Sequence, residues 1–387
     1  MEQVLYPLPE GWKWRRIEEV FTITSGKNLT KKDMQDEGKF PVYGGNGIAG
    51  RHNDFNLGGS NIIIGRVGAL CGNVRLVNGD IWVTDNAFFI KEYKEDILKE
   101  YLAKILAVLN LGETANKAAQ PVISYKGIKD LAIPYPPLDE QKRIVEKLDA
   151  LLTRIDTAIE YLHESVTLAD ALYASSLDQL FEQIYLDYAT RPLSTLASKI
   201  GSGATPNGGQ NAYKESGISL IRSLNVYDSE FKPGGLAFID DVQAEKLSNV
   251  VVEEGDVLLN ITGASIARCC VAPVEFLPAR VNQHVCIIRP NEELNSTYLN
   301  YLLISPKFKA ALLFQGAGGA TRQALTKVMV SNLDIPLPPL EVQAKLVDKV
   351  NRLSKKNRAL KEQVNSKVSD FIILKASILD SAFKGEL

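Results

Sequence analysis

No run among the 387 residues is apolar for long enough to span a bilayer. The N-terminus, MEQVLYPLPEGWKW, lacks the basic-then-apolar order of a secretion signal. These two absences lead us to expect a cytoplasmic protein with no membrane partner. Cysteine is scarce. Cys71, Cys269, Cys270 and Cys286 form no CxxC pair and fit neither a zinc site nor a disulfide framework, so they read as buried free thiols. Histidine is scarcer still. His52, His163 and His284 stand far apart and offer no metal-ligand or nucleophile–base spacing. No charge of one sign dominates either: 44 basic residues face 46 acidic ones, a net of −2. That excludes a strongly basic, non-specific polyanion binder. A specific one stays open, because local charge matters more than the sum.

What is present is a duplication. Residues 130–148, DLAIPYPPLDEQKRIVEKL, return as residues 332–350, NLDIPLPPLEVQAKLVDKV, with nine of nineteen positions identical and no gap. The interval of 202 residues still holds later, where Ser175, Leu177, Asp178 and Phe181 match Ser377, Leu379, Asp380 and Phe383. An internal repeat fixes the architecture before any other consideration, since two like units imply two like sites.

Four segments follow. Residues 1–137 and 190–337 are rich in Gly, Asn and β-branched residues and read as β-rich domains. Residues 138–189 and 338–387 each hold a long helix, announced by Pro136-Pro137 and Pro338-Pro339 and free of Gly and Pro over about 45 residues. The first helix carries a seam at Val145, Leu148, Leu152, Ile155, Ile159, Leu162, Val166, Ala169, Tyr173 and Leu180. The second carries a looser one at Leu346, Val350, Leu353, Asn357, Leu360, Val364, Phe371, Leu374 and Ile378. Residues 138–189 have 4 basic and 11 acidic side chains, whereas residues 338–387 have 10 and 6. An acidic helix and a basic helix with matching seams are electrostatic partners. The expected fold class is therefore α+β: two β-rich domains alternate with two long helices, which pair as an antiparallel coiled coil about a pseudo-twofold repeat. Inside the β-rich blocks the interval drifts. Gly68 aligns with Gly263 at 195, residues 83–90 with 281–288 at 198, and Tyr101 with Tyr298 at 197. Helix length is kept and loop length varies.

A β-rich domain ending in IPxPPLxxQ, a long helix closing near Leu-x-x-x-Phe, and both repeated, resembles the specificity subunit of type I restriction-modification systems. PEGWKWRRIEEVFTITSGK, PVYGGNGIAG (41–50) and the terminal SILDSAFKGEL are similar to that family as well. The resemblance covers essentially the whole chain. It implies that each β-rich block is a target recognition domain reading one half of a gapped, asymmetric site on double-stranded DNA. It implies that the helices space the halves, that two methyltransferase (modification) subunits dock on the chain, and that restriction subunits join them. S-adenosylmethionine, ATP and Mg would then belong to those partners, and this chain would hold no cofactor or metal and catalyse nothing. The residues agree with the last point. A DNA adenine methyltransferase needs an Asn/Asp-Pro-Pro-aromatic loop, and residues 133–137 lack the Asn/Asp. No FxGxG cofactor loop is present, and GSGATP (201–206) has no P-loop lysine. A duplicated β-rich binding or scaffold protein with a coiled-coil dimerisation module remains the alternative reading, but it leaves the repeated IPxPPLxxQ signature unexplained.

For DNA contact the candidates are donors and acceptors on Gly-rich loops, because Arg matches guanine bidentately and Asn or Gln matches adenine. In the first block these are Lys27, Asn28, Lys31, Tyr43, Asn46, Arg51, Arg66, Gln120 and Lys126. In the second they are Thr205, Asn207, Arg222, Asn225, Arg268, Arg322, Gln323 and Lys327.

Overall fold

The computed structural model describes residues 3, 5–116, 119–206, 208–317 and 324–387. Two compact units emerge: residues 1–162 with 365–387, and residues 163–364. The chain divides after residue 162 and again after residue 364, positions separated by the same 202 residues as the sequence repeat. Each unit thus contains one β-rich block and a part of both long helices.

In the first unit a four-stranded antiparallel sheet runs in the order Phe21–Ser25, Ala87–Tyr93, Ser60–Gly65, Val74–Asn78. Ile62 and Ile64 point into the main core with the helix Lys99–Val108, while Ile63 points into a smaller cluster with Ile81, Val83 and Ala87. A strand buried on both faces explains why 62–64 is an unbroken apolar run. A second sheet runs Gly47–His52, Phe40–Gly44, Trp82–Val83, its last pair parallel.

The second unit repeats both orders. Its first sheet runs Ala197–Ser202, Val285–Pro290, Val257–Asn260, Cys269–Val271. Its other sheet runs Ala237–Ile239, Ile218–Ile221, Ala279–Val281, again with the last of these pairs parallel, and adds Val251–Val252 at the edge. The drifting interval has a local cause. Two residues, Gly45-Asn46, join Phe40–Gly44 to Gly47–His52, whereas residues 222–236 make the equivalent connection and include a hairpin of Val226–Tyr227 with Glu230–Phe231. Cys269, Cys270 and Cys286 lie in the cores and Cys71 is half-buried. Burial pushes Cys270 and Cys286 up to about 12, so both stay thiols.

The long helices span Leu138–Asp187 and Leu340–Lys384. Within each unit they pair antiparallel. In the first, Arg143 reaches the carbonyl of Leu387 at 2.7 Å and Asp156 meets Lys375 at 2.6 Å. In the second, Asp170 meets Lys361 at 2.5 Å and accepts from Asn357 at 2.8 Å. Burial works against the Asp170 carboxylate, yet the bonds from Lys361 and Asn357 outweigh it and hold its pKa below the usual value. Such exposed ion pairs contribute at most about 1 kcal/mol each. They select orientation, and the apolar seam supplies the stability. That seam is narrower than its sequence pattern: Leu360 and Leu374 are 37% and 44% exposed. A helix covered on one side only leaves the flank of its apolar stripe in water.

The repeat identities fasten each β-rich block to the helices. Gln141 is buried, accepts from the Leu98 N–H at 2.8 Å and donates to the Pro136 carbonyl at 2.9 Å. Gln343 does the same with Asn295 and Pro338, and also donates to the Glu293 carbonyl at 2.9 Å. Tyr101 donates to the Pro134 carbonyl and Tyr298 to that of Pro336, both at 2.9 Å. Burial raises the pKa of both phenols and keeps them as donors. Gln343→Ala strands the Asn295 N–H and should cost about 1–3 kcal/mol. Thermal unfolding checks this, at about 2–4 °C of Tm per kcal/mol.

Candidate nucleic-acid interface

The loops that carry the polar candidates are set by glycines with no room for a side chain. A Cβ on Gly26 would lie 2.0 Å from the Val83 carbonyl oxygen, and one on Gly203 would lie 1.7 Å from that of Val281. Each glycine follows the first strand of the four-stranded sheet, so each turns the next loop tightly over the sheet end. The chain returns to the same end later. Residue 67 bridges to 122 and residue 262 to 324, both antiparallel. Ser124 and Thr326 then cap the short helices Tyr125–Ile128 and Lys327–Ser331, each accepting from an N–H three residues on.

A cleft opens beside these loops in each unit. The first, about 490 Å³, is walled by residues 28–31 and 44–49, with Val67, Gly68, Thr84, Asn86 and Gln120. The second, about 410 Å³, is walled by Ser223, Leu224 and Tyr227, residues 262–265, Arg268 and His284. Sequence-aligned positions line both: Gly68 and Gly263, each with positive φ, and Asn86 and His284. Among the described residues no carboxylate lines either wall, which suits a polyanion. The chemistry differs between them. The first cleft presents the amides of Asn28, Asn46, Asn86 and Gln120 with the Lys31 ammonium. The second presents hydroxyls, an imidazole and a guanidinium.

Of the first-block candidates, Asn28, Lys31, Asn46 and Gln120 share the cleft and Lys27 sits exposed beside it. Tyr43 packs against the small apolar cluster of that sheet. Arg51 is tied to the carbonyls of Gly38 and Lys39, and Arg66 to that of Asp85 at 3.1 Å. Lys126 is exposed on its short helix. In the second block, Arg268 lines the cleft. Thr205 hydrogen-bonds Gln283, whose amide approaches the His284 ring at 3.1 Å. Thr262 Oγ1 meets the other ring nitrogen at 2.5 Å, so both ring nitrogens of His284 are hydrogen-bonded within the protein. Arg222 binds the Gly235 carbonyl, and Asn225, fully buried, ties down the 222–234 loop through Arg222, Lys232 and Gly234. Lys327 is exposed. Asn207, Arg322 and Gln323 lie outside the described residues.

Sequence reasoning missed Asn86, Tyr227, Thr262, Ser265 and His284. A signal existed, since the Gly68/Gly263 and Asn86/His284 alignments were visible, but pairing unlike residues suggests no shared site until the fold brings them to one sheet end. The clefts hold hydrogen-bonding groups without an acid–base pair, and no group of three or more His, Cys, Asp or Glu among the described residues could hold a metal. No helix among the described residues is long and apolar enough to cross a membrane. Gly203→Ala must push the backbone off Val281 and shift the loop carrying Thr205, costing about 1–3 kcal/mol. Thermal unfolding followed by circular dichroism measures the cost.

The family description "Type I restriction modification DNA specificity domain" matches residues 9–163 and 187–369. The EcoBI specificity subunit of Escherichia coli is 25% identical over 344 residues, covering 80% of this chain and 71% of that one. The MjaVIII specificity subunit of Methanocaldococcus jannaschii is 23% identical over an alignment of 411 positions, covering 95% and 93%. A chain solved in work on complex assembly and conformational transition of the type I R-M system shares the fold with a TM-score of 0.77 at 22% identity, over 99% of this chain and 100% of that one. The HsdS subunit from Thermoanaerobacter tengcongensis shares it with a TM-score of 0.56 at 22% identity, over 99% of both chains. Matched in two segments that take in both clefts and much of both helices, the chain belongs to the family of type I restriction-modification DNA specificity proteins.

Proposed function

We propose that this chain is the non-catalytic, sequence-reading subunit of a cytoplasmic type I restriction-modification complex. Each unit reads one half of a gapped, asymmetric site on double-stranded DNA. Two methyltransferase subunits dock on the helices and restriction subunits join them, and S-adenosylmethionine, ATP and Mg are held by those partners. The observation that carries the reading is the pair of clefts, one at the same sheet end in each unit, with different hydrogen-bonding groups. Like frames with unlike walls suit two different half-sites. Lys27, Lys126 and Lys327, exposed near those sheet ends, suit phosphate.

The test is co-expression with a cognate modification subunit, followed by genome-wide mapping of methylated bases. A bipartite, non-palindromic motif is expected, and the purified chain alone should transfer no methyl group. Methylation by the chain alone, or a continuous palindromic motif, would overturn the reading.

A further inference from the structure

Among the described residues the second cleft contains one cation, Arg268, whose donors are not spent on the protein. Five arginines of residues 190–337 are described. Arg191 binds Glu293, Arg222 the Gly235 carbonyl, Arg280 the carbonyls of Ala244 and Ala279, and Arg289 a pair of carboxylates. Arg268 alone makes no side-chain hydrogen bond or ion pair among the described residues. Its guanidinium instead lies over the Tyr227 ring, 4.6 Å from the centroid, at the wall of the cleft.

Both members of that stack are held from behind by one buried residue, Asn260. Asn260 donates its backbone N–H to the Arg268 carbonyl at 2.8 Å. Its side-chain amide donates to the Ser223 carbonyl at 2.9 Å and toward that of Val226 at 3.4 Å, next to Tyr227. The Tyr227 hairpin is pinned a second time, by the Ser229 N–H on the Cys269 carbonyl at 2.8 Å, one residue beyond Arg268. Ala267, fully buried, takes a φ of +64°, a conformation a non-glycine residue adopts rarely and at a cost. The strain turns the chain immediately before Arg268. A guanidinium stacked on an aromatic face keeps its planar fork of donors fixed in direction and loses less freedom on binding. A phosphate contact needs only a charge and no such platform.

We propose that Arg268, presented on Tyr227, is a specificity-determining residue that reads a guanine through its O6 and N7 acceptors in the half-site of the second unit. Tyr227 and Asn260 are positioning residues. Among the described residues the first cleft is lined by amides and Lys31 and by no arginine, so an arginine stacked on an aromatic ring belongs to the second cleft. This inference rests on the DNA-reading function proposed above.

The experiment uses the complex with the modification subunit. Methylation is mapped for the wild type, Arg268→Ala, Arg268→Lys, Tyr227→Phe and Tyr227→Leu, and the affinity of each complex is measured for duplexes carrying the mapped site. Arg268→Ala should make one guanine position of one half-site degenerate, with about ten- to a hundredfold loss of discrimination there and the other half unchanged. Arg268→Lys should be intermediate. Tyr227→Phe should keep the motif and Tyr227→Leu should weaken discrimination at the same position. Replacing that guanine with 7-deazaguanine removes the N7 acceptor. It should weaken wild-type binding about tenfold and leave Arg268→Ala indifferent. The deaza duplex needs only the wild-type protein, so the proposal stays testable if a variant misfolds. Uniformly weaker binding by Arg268→Ala with an unaltered motif would mark a phosphate contact and overturn the inference while leaving the function intact. A wild-type complex that methylates no bipartite site would overturn both.

Discussion

Replacing Phe383 with alanine should destabilise the first unit by about 3–5 kcal/mol. Phe181→Ala should do the same to the second. The two phenylalanines are a repeat pair 202 residues apart, each only 2% exposed. In the first unit the Phe383 ring meets the Tyr101 ring edge-on with centroids 5.5 Å apart, and in the second Phe181 meets Tyr298 at the same separation. Truncation removes the aromatic contact and leaves a cavity beside a tyrosine whose hydroxyl is already committed to a proline carbonyl. The surrounding helix and sheet cannot close over that space without breaking the bond. Chemical denaturation with an intrinsic-fluorescence readout measures the loss. Phe383→Leu, which keeps most of the volume, should cost clearly less. Equal losses for leucine and alanine would show that the ring is not what holds the helix end to the β-rich block.

Exchanging residues 190–337 for the corresponding block of another family member should change one half of the methylated motif and leave the other half and the gap as they are. The block is closed on itself. Its first strand, Thr190–Pro192, pairs antiparallel with its last, Asp334–Pro336, so both cuts fall at the base of one two-stranded ribbon. The first block is closed in the same way by Lys13–Arg16 and Ala132–Tyr135. What the helices require of a new block is an apolar face with an aromatic ring in the place of Tyr298 against Phe181, a backbone N–H in the place of Asn295 for Gln343, and partners in the places of Tyr301 and Lys307 for Asn351 and Asp178. A map in which both halves of the motif change would contradict the independence proposed for the two blocks.

Much of the fold could be read in the sequence because its signals are local. The proline stops at 136–137 and 338–339, the absence of Gly and Pro beyond them, and the regular seams need no tertiary information, and the helices begin at Leu138 and Leu340. The opposite charge of the helices likewise announced their partner. The apolar stripe is wider than the contact at Leu360 and Leu374, because periodicity marks a stripe without saying how much of it a single neighbour covers. The site was less legible. Asn28, Lys31, Asn46, Gln120 and Arg268 do meet in clefts, but Arg51, Arg222 and Asn225 look the same in sequence and are spent on backbone carbonyls and turns.

By itself the sequence determined the duplication, the two long helices and their mutual charge, and the family, because each is written in residues close together or repeated at a fixed interval. Only the tertiary structure decided which polar side chains remain available. Whether a guanidinium faces solvent or a carbonyl depends on atoms tens of residues away, as with Arg268 on Tyr227 and Arg289 on Asp256. A hydrogen bond is satisfied in three dimensions, and composition records only that the donor exists.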